Sequence, residues 1–180
     1  MELEPQNPLP RLVVIDVETT GMNPNEGHSV IEVAAQELTG RLMGKTYQAL
    51  VKLDRPLDPE VSAIHGITDE LLALEGRDRS QVFKELMEFI ADSVLVGHNI
   101  GFDLAFLNAE QTRLEQPVYS NETLDTLELA KRYLILPSYS LKTIAAYLEV
   151  PQPTSHRALA DVETTRQVFI KLVERAKQAK

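Results

Sequence analysis

The sequence predicts an α/β domain, a mixed sheet of about five strands flanked by helices. Two observations carry that expectation. Three apolar, strand-like runs follow one another within the first 53 residues, joined by short links, as in an antiparallel meander. Beyond residue 58 the apolar spacing lengthens to a helical period, interrupted by one short strand at Val94-Leu95-Val96. Strands first, then strands alternating with helices, give a mixed sheet covered by helices, and in such sheets sites gather at strand ends.

The elements follow in order. Residues 1–10 hold three prolines and two glutamates and read as a flexible leader; residues 11–177 read as one domain. Leu12–Val17 is β-branched and apolar, a strand buried on both faces. Thr19-Thr20-Gly21 is a polar turn in which Gly21 is free to take a positive φ. Ser29–Leu38 is a second strand, Thr39-Gly40-Arg41 a turn, and Leu42–Leu53 a third strand. Asp58-Pro59-Glu60 starts a helix, and Thr68 caps another. Ser80 is expected to cap the next helix, whose apolar stripe is Val82, Phe83, Leu86, Met87 and Ile90. Gly97-His98-Asn99 is the loop after the fourth strand. Phe102, Ala105, Phe106 and Ala109 mark another helix. Thr123–Leu136 reads as a helix stopped by Pro137, Ser140 caps another, and Pro151 and Pro153 hold an extended link. The last helix begins near Ala158, with Val162, Phe169, Leu172, Val173 and Ala176 inward.

Composition narrows the function. A chain of 180 residues buries roughly 70% of its unfolded surface. It has no cysteine, hence no disulfide, thiolate nucleophile or Cys-ligated metal. No apolar run approaches membrane-spanning length and the N-terminus lacks a signal pattern, so the expected address is the cytoplasm with no membrane partner. The net charge of −9 argues against a protein that coats nucleic acid non-specifically. It leaves room for an enzyme that grips one chain end through bound cations, which invert the local field.

Asp16 and Glu18 are two residues apart at the end of the first strand, so both project from one face. Two ionised carboxylates so close repel, and hard oxygen ligands converging this way suit Mg²⁺ or Mn²⁺. Asp103 falls in the first turn of a helix just past a strand end, where a helix dipole alone would favour it. His156 lies just ahead of the last helix and Asp161 in its opening turns, a spacing that lets both face one point. Four carboxylates and a histidine, which titrates near neutrality, are the inventory of a two-metal phosphoryl-transfer site.

Three motifs carry a family resemblance: Asp-Val-Glu-Thr-Thr-Gly at 16–21, His-Asn-x-x-Phe-Asp at 98–103 and His-x-x-x-x-Asp at 156–161. Together they resemble the DEDDh 3′→5′ exonucleases over about Leu12–Ala176. The stretches His65–Asp69 and Leu124–Ala130 resemble that family too. The likeness is greatest to the proofreading epsilon subunit of bacterial replicative polymerase and to the exonuclease domain of C-type polymerases. The resemblance implies a ribonuclease-H-like fold and sequential release of nucleoside monophosphates from a DNA 3′ end, single-stranded or mismatched. It implies two Mg²⁺ or Mn²⁺ ions held by Asp16, Glu18, Asp103 and Asp161, with His156 as general base. Thr19, Thr20, His65, His98 and Phe102 become the contacts to the terminal nucleotide.

The partners it implies are a DNA 3′ end and a DNA polymerase subunit. Neither a flanking polymerase nor an extension after the last helix is expected from these residues, so the resemblance is expected to carry the chemistry further than the polymerase partner. An RNA-trimming relative and a catalytically silent binding module are the competing readings; the second gives no reason to keep all five central residues. Among the remaining polar residues, His98 is expected to order its loop, Asp125 to cap an element end, and Glu32 to lie behind the site. His28 is expected to be exposed and idle. The basic residues of the last helix (Arg166, Lys171, Arg175, Lys177 and Lys180) are expected to be a solvated face.

Overall fold

A strand made of Leu12–Thr19 (β1) is flanked on both sides, and its alternation sorts the whole domain into two layers. The computed structural model describes residues 10–39, 42–152 and 156–178. Most of the expected leader, part of the turn at 39–41, Pro153 and Lys180 lie outside them. Val13, Ile15 and Val17 point to one face, where they meet Phe83, Leu86, Phe106 and Leu107. Val14 points to the other face, toward Ala158, Val162 and Phe169. Asp16 and Glu18 continue that second face, because side chains two apart share a side.

β2 (Val30–Thr39) pairs antiparallel with β1, and β3 (Leu42–Leu50) antiparallel with β2. β4 (Val94–Gly97) and β5 (Thr123–Asp125) add in parallel, giving the order β3-β2-β1-β4-β5. The expected mixed sheet of five strands is therefore present. Its fifth strand is a surprise: Thr123–Asp125 had the look of a helix start. Three residues cannot display a period, and pairing with Leu95–Gly97 decides their state. The third strand also stops earlier than expected, at Leu50, with only an isolated bridge from Val51 to Arg77 beyond it.

Seven helices flank the sheet among the described residues: α1 (Pro59–His65), α2 (Asp69–Glu75), α3 (Arg79–Ile90), α4 (Ile100–Arg113), α5 (Thr126–Tyr133), α6 (Leu141–Tyr147) and α7 (Ala158–Gln178). Thr68 and Ser140 cap α2 and α6 as expected. The cap of α3 is Asp78, whose carboxylate accepts the Gln81 N–H at 3.0 Å; Ser80 already lies inside the helix. The helix marked by Phe102, Ala105, Phe106 and Ala109 is α4, whose inward stripe runs through Ile100, Asp103, Phe106, Leu107 and Glu110, with Ala105 facing solvent. The polar members of that stripe are not recognisable by apolar periodicity. α7 is basic near its end yet is no plain solvated face: Arg166 is 8% exposed and paired with Glu163, and Lys171 donates to the Leu148 carbonyl. No helix among the described residues is long and apolar enough to cross a membrane.

Candidate active site

The site begins with a length mismatch in the sheet. The register of β4 with β1 stops at Val14, and β4 itself ends at Gly97, while β1 runs on to Thr19. The far end of β1 thus has a strand, β2, on one side only. On the other side the loop His98-Asn99 turns the chain into α4, with Asn99 in the left-handed region at φ 59°. The first turn of α4 brings Asp103 beside β1, where its Oδ1 accepts the Val17 N–H at 3.0 Å. Asp103 is 3% exposed, so it is far more than a surface charge near a helix dipole.

From the opposite layer, α7 packs its apolar start on Val14 and Ala34. Its first turn carries Asp161 over the strand end. Ligand oxygens of Asp16, Glu18 and Asp161 all lie within 4.8 Å of one another, and the three side chains are half-buried. His156 sits just ahead of α7, exposed, with φ 62°, and its backbone N–H donates to Asp161 Oδ2 at 2.9 Å. The histidine and the aspartate five residues on are tied to each other by the histidine's backbone.

Electrostatics report the same crowding. Burial, then the charges of Asp103, Asp161 and Glu18, push Asp16 well above the usual carboxylate range. Burial and the neighbouring carboxylates push Glu18 up to about 8. Burial pushes Asp103 to about 8 against the opposing pull of its backbone hydrogen bonds. Asp161 is raised as well, chiefly by burial. Protons or cations must offset this repulsion, and the three convergent carboxylates, Asp16, Glu18 and Asp161, fit a divalent metal ion, with Asp103 beside them but outside that group.

The other expected contacts are Thr19, Thr20, His65, His98 and Phe102. Thr19 follows a register shift between Glu18 and Thr19, and its hydroxyl donates to the Gly21 carbonyl at 2.7 Å. Phe102 is half-buried against Phe106, ring centroids 4.9 Å apart. His65 is buried; its Nδ1 accepts the Ile67 N–H at 3.2 Å, and it lies within the electrostatic reach of His156 and Glu32. Thr20 and His98, like Thr19 and His65, have hydrogen bonds that hold their own loops. The Thr20 hydroxyl accepts the Ser29 N–H at 3.0 Å. His98 Nδ1 lies 3.0 Å from the Thr126 hydroxyl. Asp125 caps α5 through the Leu127 N–H and also accepts the Asn99 N–H, both through Oδ1, so it braces the His98 loop.

One expectation, that for His28, fails around the Thr19–Gly21 turn, and the freedom of Gly21 is not used for a positive φ. Positive φ among the described glycines belongs to Gly27 and Gly66, not to Gly21. Gly21 is small for another reason: a Cβ there would run into the His28 imidazole. His28 in turn is half-buried, its Nδ1 3.3 Å from the Thr20 hydroxyl, rather than exposed and idle. No local pattern announces that contact, because the two residues meet only when the loop closes.

A family model described as exonuclease (RNase_T) matches residues 13–169. The PolC-type DNA polymerase III of Thermotoga maritima is 37% identical over 166 residues, covering 92% of this chain and 12% of that protein. The DNA polymerase III subunit epsilon of Escherichia coli K12 is 34% identical over 171 residues, covering 89% of this chain and 70% of that subunit. Among solved structures, exonuclease X in complex with 5′ overhanging duplex DNA superposes with a TM-score of 0.72 at 25% identity, covering 92% of this chain and 93% of its own. E. coli exonuclease I bound to a dT13 oligonucleotide gives a TM-score of 0.84 at 19% identity, covering 94% of this chain and 42% of its own, a likeness of fold.

Proposed function

The chain belongs to the exonuclease family whose pattern it matches over residues 13–169, and from that premise we propose that it is a metal-dependent 3′→5′ exonuclease acting on DNA. The observation that carries the reading is the convergence of Asp16, Glu18 and Asp161 within 4.8 Å at a strand end to which Asp103 is also bonded. In this reading residues 11–177 act as one domain.

Asp16, Glu18, Asp103 and Asp161 would hold Mg²⁺ or Mn²⁺, two to the site. Bound there, the cations would supply positive charge to the scissile phosphate and the leaving oxygen. The remaining work belongs to the chain. His156 takes the proton of the attacking water as general base, its backbone held by the bond to Asp161 and its side chain open to solvent. The water oxygen bonds to phosphorus, the bond from phosphorus to the 3′ oxygen breaks, and that oxygen leaves with a proton from solvent. A nucleoside 5′-monophosphate is released and the shortened strand keeps a 3′ hydroxyl. Thr19, Phe102 and His65 meet the terminal nucleotide, while Thr20 and His98 shape the loops that present them. DNA as substrate draws support from the polymerase III relatives and from the DNA in the exonuclease X complex. The same relatives make a DNA polymerase subunit the natural protein partner.

The test is the purified chain with Mg²⁺ or Mn²⁺ on 3′-labelled single-stranded DNA, matched and mismatched duplexes, and RNA. Mononucleotides should appear from the 3′ end, fastest from unpaired or mismatched ends, where unstacking costs least. EDTA should stop the reaction and a blocked 3′ end should protect the strand. Internal fragments from circular single-stranded DNA would overturn the exonuclease reading. Faster release from RNA would move the substrate to RNA, and binding without hydrolysis would leave a silent module.

A further inference from the structure

Glu32 is a fifth carboxylate beside the site, and it is wholly buried. It pairs directly across the strands with Glu18, so both side chains share the face that looks at α7. Like Asp103, it lies outside the group of three carboxylates whose oxygens converge within 4.8 Å, and what sets it apart from Asp103 is how fully it is bonded. Its oxygens are committed elsewhere. Arg157 grips it with a two-pronged contact, Nε to Oε2 at 3.0 Å and Nη2 to Oε1 at 2.9 Å. The Ala158 N–H donates to Oε2 at 3.1 Å and Gln48 Nε2 to Oε1 at 2.9 Å. Four donors thus hold one anion, which serves as the cap of α7 from a strand 126 residues away in sequence. An anion at a helix N-terminus is favoured by the helix dipole, and the fork of an arginine fixes both direction and distance.

Arg157 immediately follows His156, whose N–H in turn holds Asp161. The connection from sheet to site therefore runs through Glu32, Arg157, the His156 backbone and Asp161. We propose that Glu32 and Arg157 are a positioning pair that sets His156 and Asp161 over the end of β1, and that Arg157 keeps Glu32 from acting as a metal ligand. In this proposal the pair acts through His156 and Asp161, and not as a ligand of metal or phosphate. The proposal rests on the exonuclease reading above.

Three variants test it: Arg157→Lys, Glu32→Gln, and the double variant Glu32→Gln/Arg157→Gln. A lysine keeps the charge but has one ammonium in place of a fork, so it cannot fix orientation. The double variant offers two amides that can bond to each other without a buried charge. Each is measured for melting temperature, for kcat and KM on single-stranded DNA, and for Mn²⁺ affinity by calorimetry. Arg157→Lys should lose on the order of 10–100-fold in kcat, with KM for DNA little changed, and Mn²⁺ affinity should fall with it. The double variant should melt near the parent temperature yet remain equally slow, because restored stability does not restore the fork. A folded Arg157→Lys or double variant with parental kcat and Mn²⁺ affinity would overturn the pair's role, as would tighter Mn²⁺ binding with full turnover. If the unmodified chain releases no nucleotide, the exonuclease reading fails, and the Mn²⁺ titration alone still decides whether the pair organises the carboxylates. If the double variant does not fold, Arg157→Lys decides.

Discussion

Asp103 reaches from the first turn of α4 to accept the N–H of Val17, the residue between Asp16 and Glu18. One carboxylate thereby does two things: it adds charge to the site and replaces a missing strand beside β1. The two roles separate by substitution. Asp103→Asn keeps a carbonyl oxygen for Val17 and removes the charge. It should abolish nucleotide release yet leave the metal-free protein as stable or more so. Asp103→Ala also abolishes release, but it leaves a buried N–H unpaired and should cost about 1–3 kcal/mol. Urea denaturation of both variants without metal checks the difference; equal losses would show that the hydrogen bond contributes nothing.

Stability without metal should fall as pH rises. Burial, with neighbouring carboxylates in the case of Glu18, pushes Glu18 and Asp103 up to about 8 in the folded chain, against about 4 for ordinary carboxylates in an unfolded chain. Between those values the folded chain holds more protons than the unfolded one, so each rise in pH favours unfolding. Glu32 works in the opposite sense: Arg157 and its other donors hold it below its ordinary value, so its contribution is present at neutral pH and is lost only in acid. The melting temperature in EDTA should therefore drop from about pH 5 to about pH 8. Saturating Mn²⁺ should raise it and flatten the slope, since cations take the place of the protons. A metal-free melting temperature that climbs over this range would contradict the convergence of the carboxylates.

His156→Ala should lower turnover on the order of 10²–10⁴-fold, the usual range for a general base. Mn²⁺ affinity should change little, because the residue's tie to Asp161 is made by its backbone N–H, which alanine retains. The left-handed φ of 62° at this position makes glycine an informative second variant. His156→Gly should be as inactive as alanine yet more stable than it. In a pH–rate profile the acid limb of the parent should vanish in both. An acid limb that survives unaltered would assign the base to another group.

Gly21→Ala should slow the enzyme through a steric collision, since the added methyl meets the His28 ring. The ring must swing out, pulling on the Thr20 hydroxyl that also holds the Ser29 N–H. His28→Ala should cost little by itself. Combining the two should recover much of the loss, a coupling readable from a double-mutant cycle in turnover. Additive losses would mean that Gly21 matters for some reason other than His28.

The sequence by itself determined the sheet-and-helix class, the first four strands and the acidic inventory of the site. Strand alternation puts Asp16 and Glu18 on one face regardless of what surrounds them, and the spacing from His156 to Asp161 spans one helix start. Such relations are local, so residue order contains them. Tertiary structure decided what depends on partners distant in the chain. Thr123–Asp125 became a strand only because β4 lay beside it. Asp103 became a buried bracket because β4 ends before β1 does. His28 found Gly21 only through loop closure, and Glu32 became the cap of α7 only when strand and helix met 126 residues apart. Buried Glu32 is held beside a counter-charge, and which arginine supplies it is settled by packing and not by pattern.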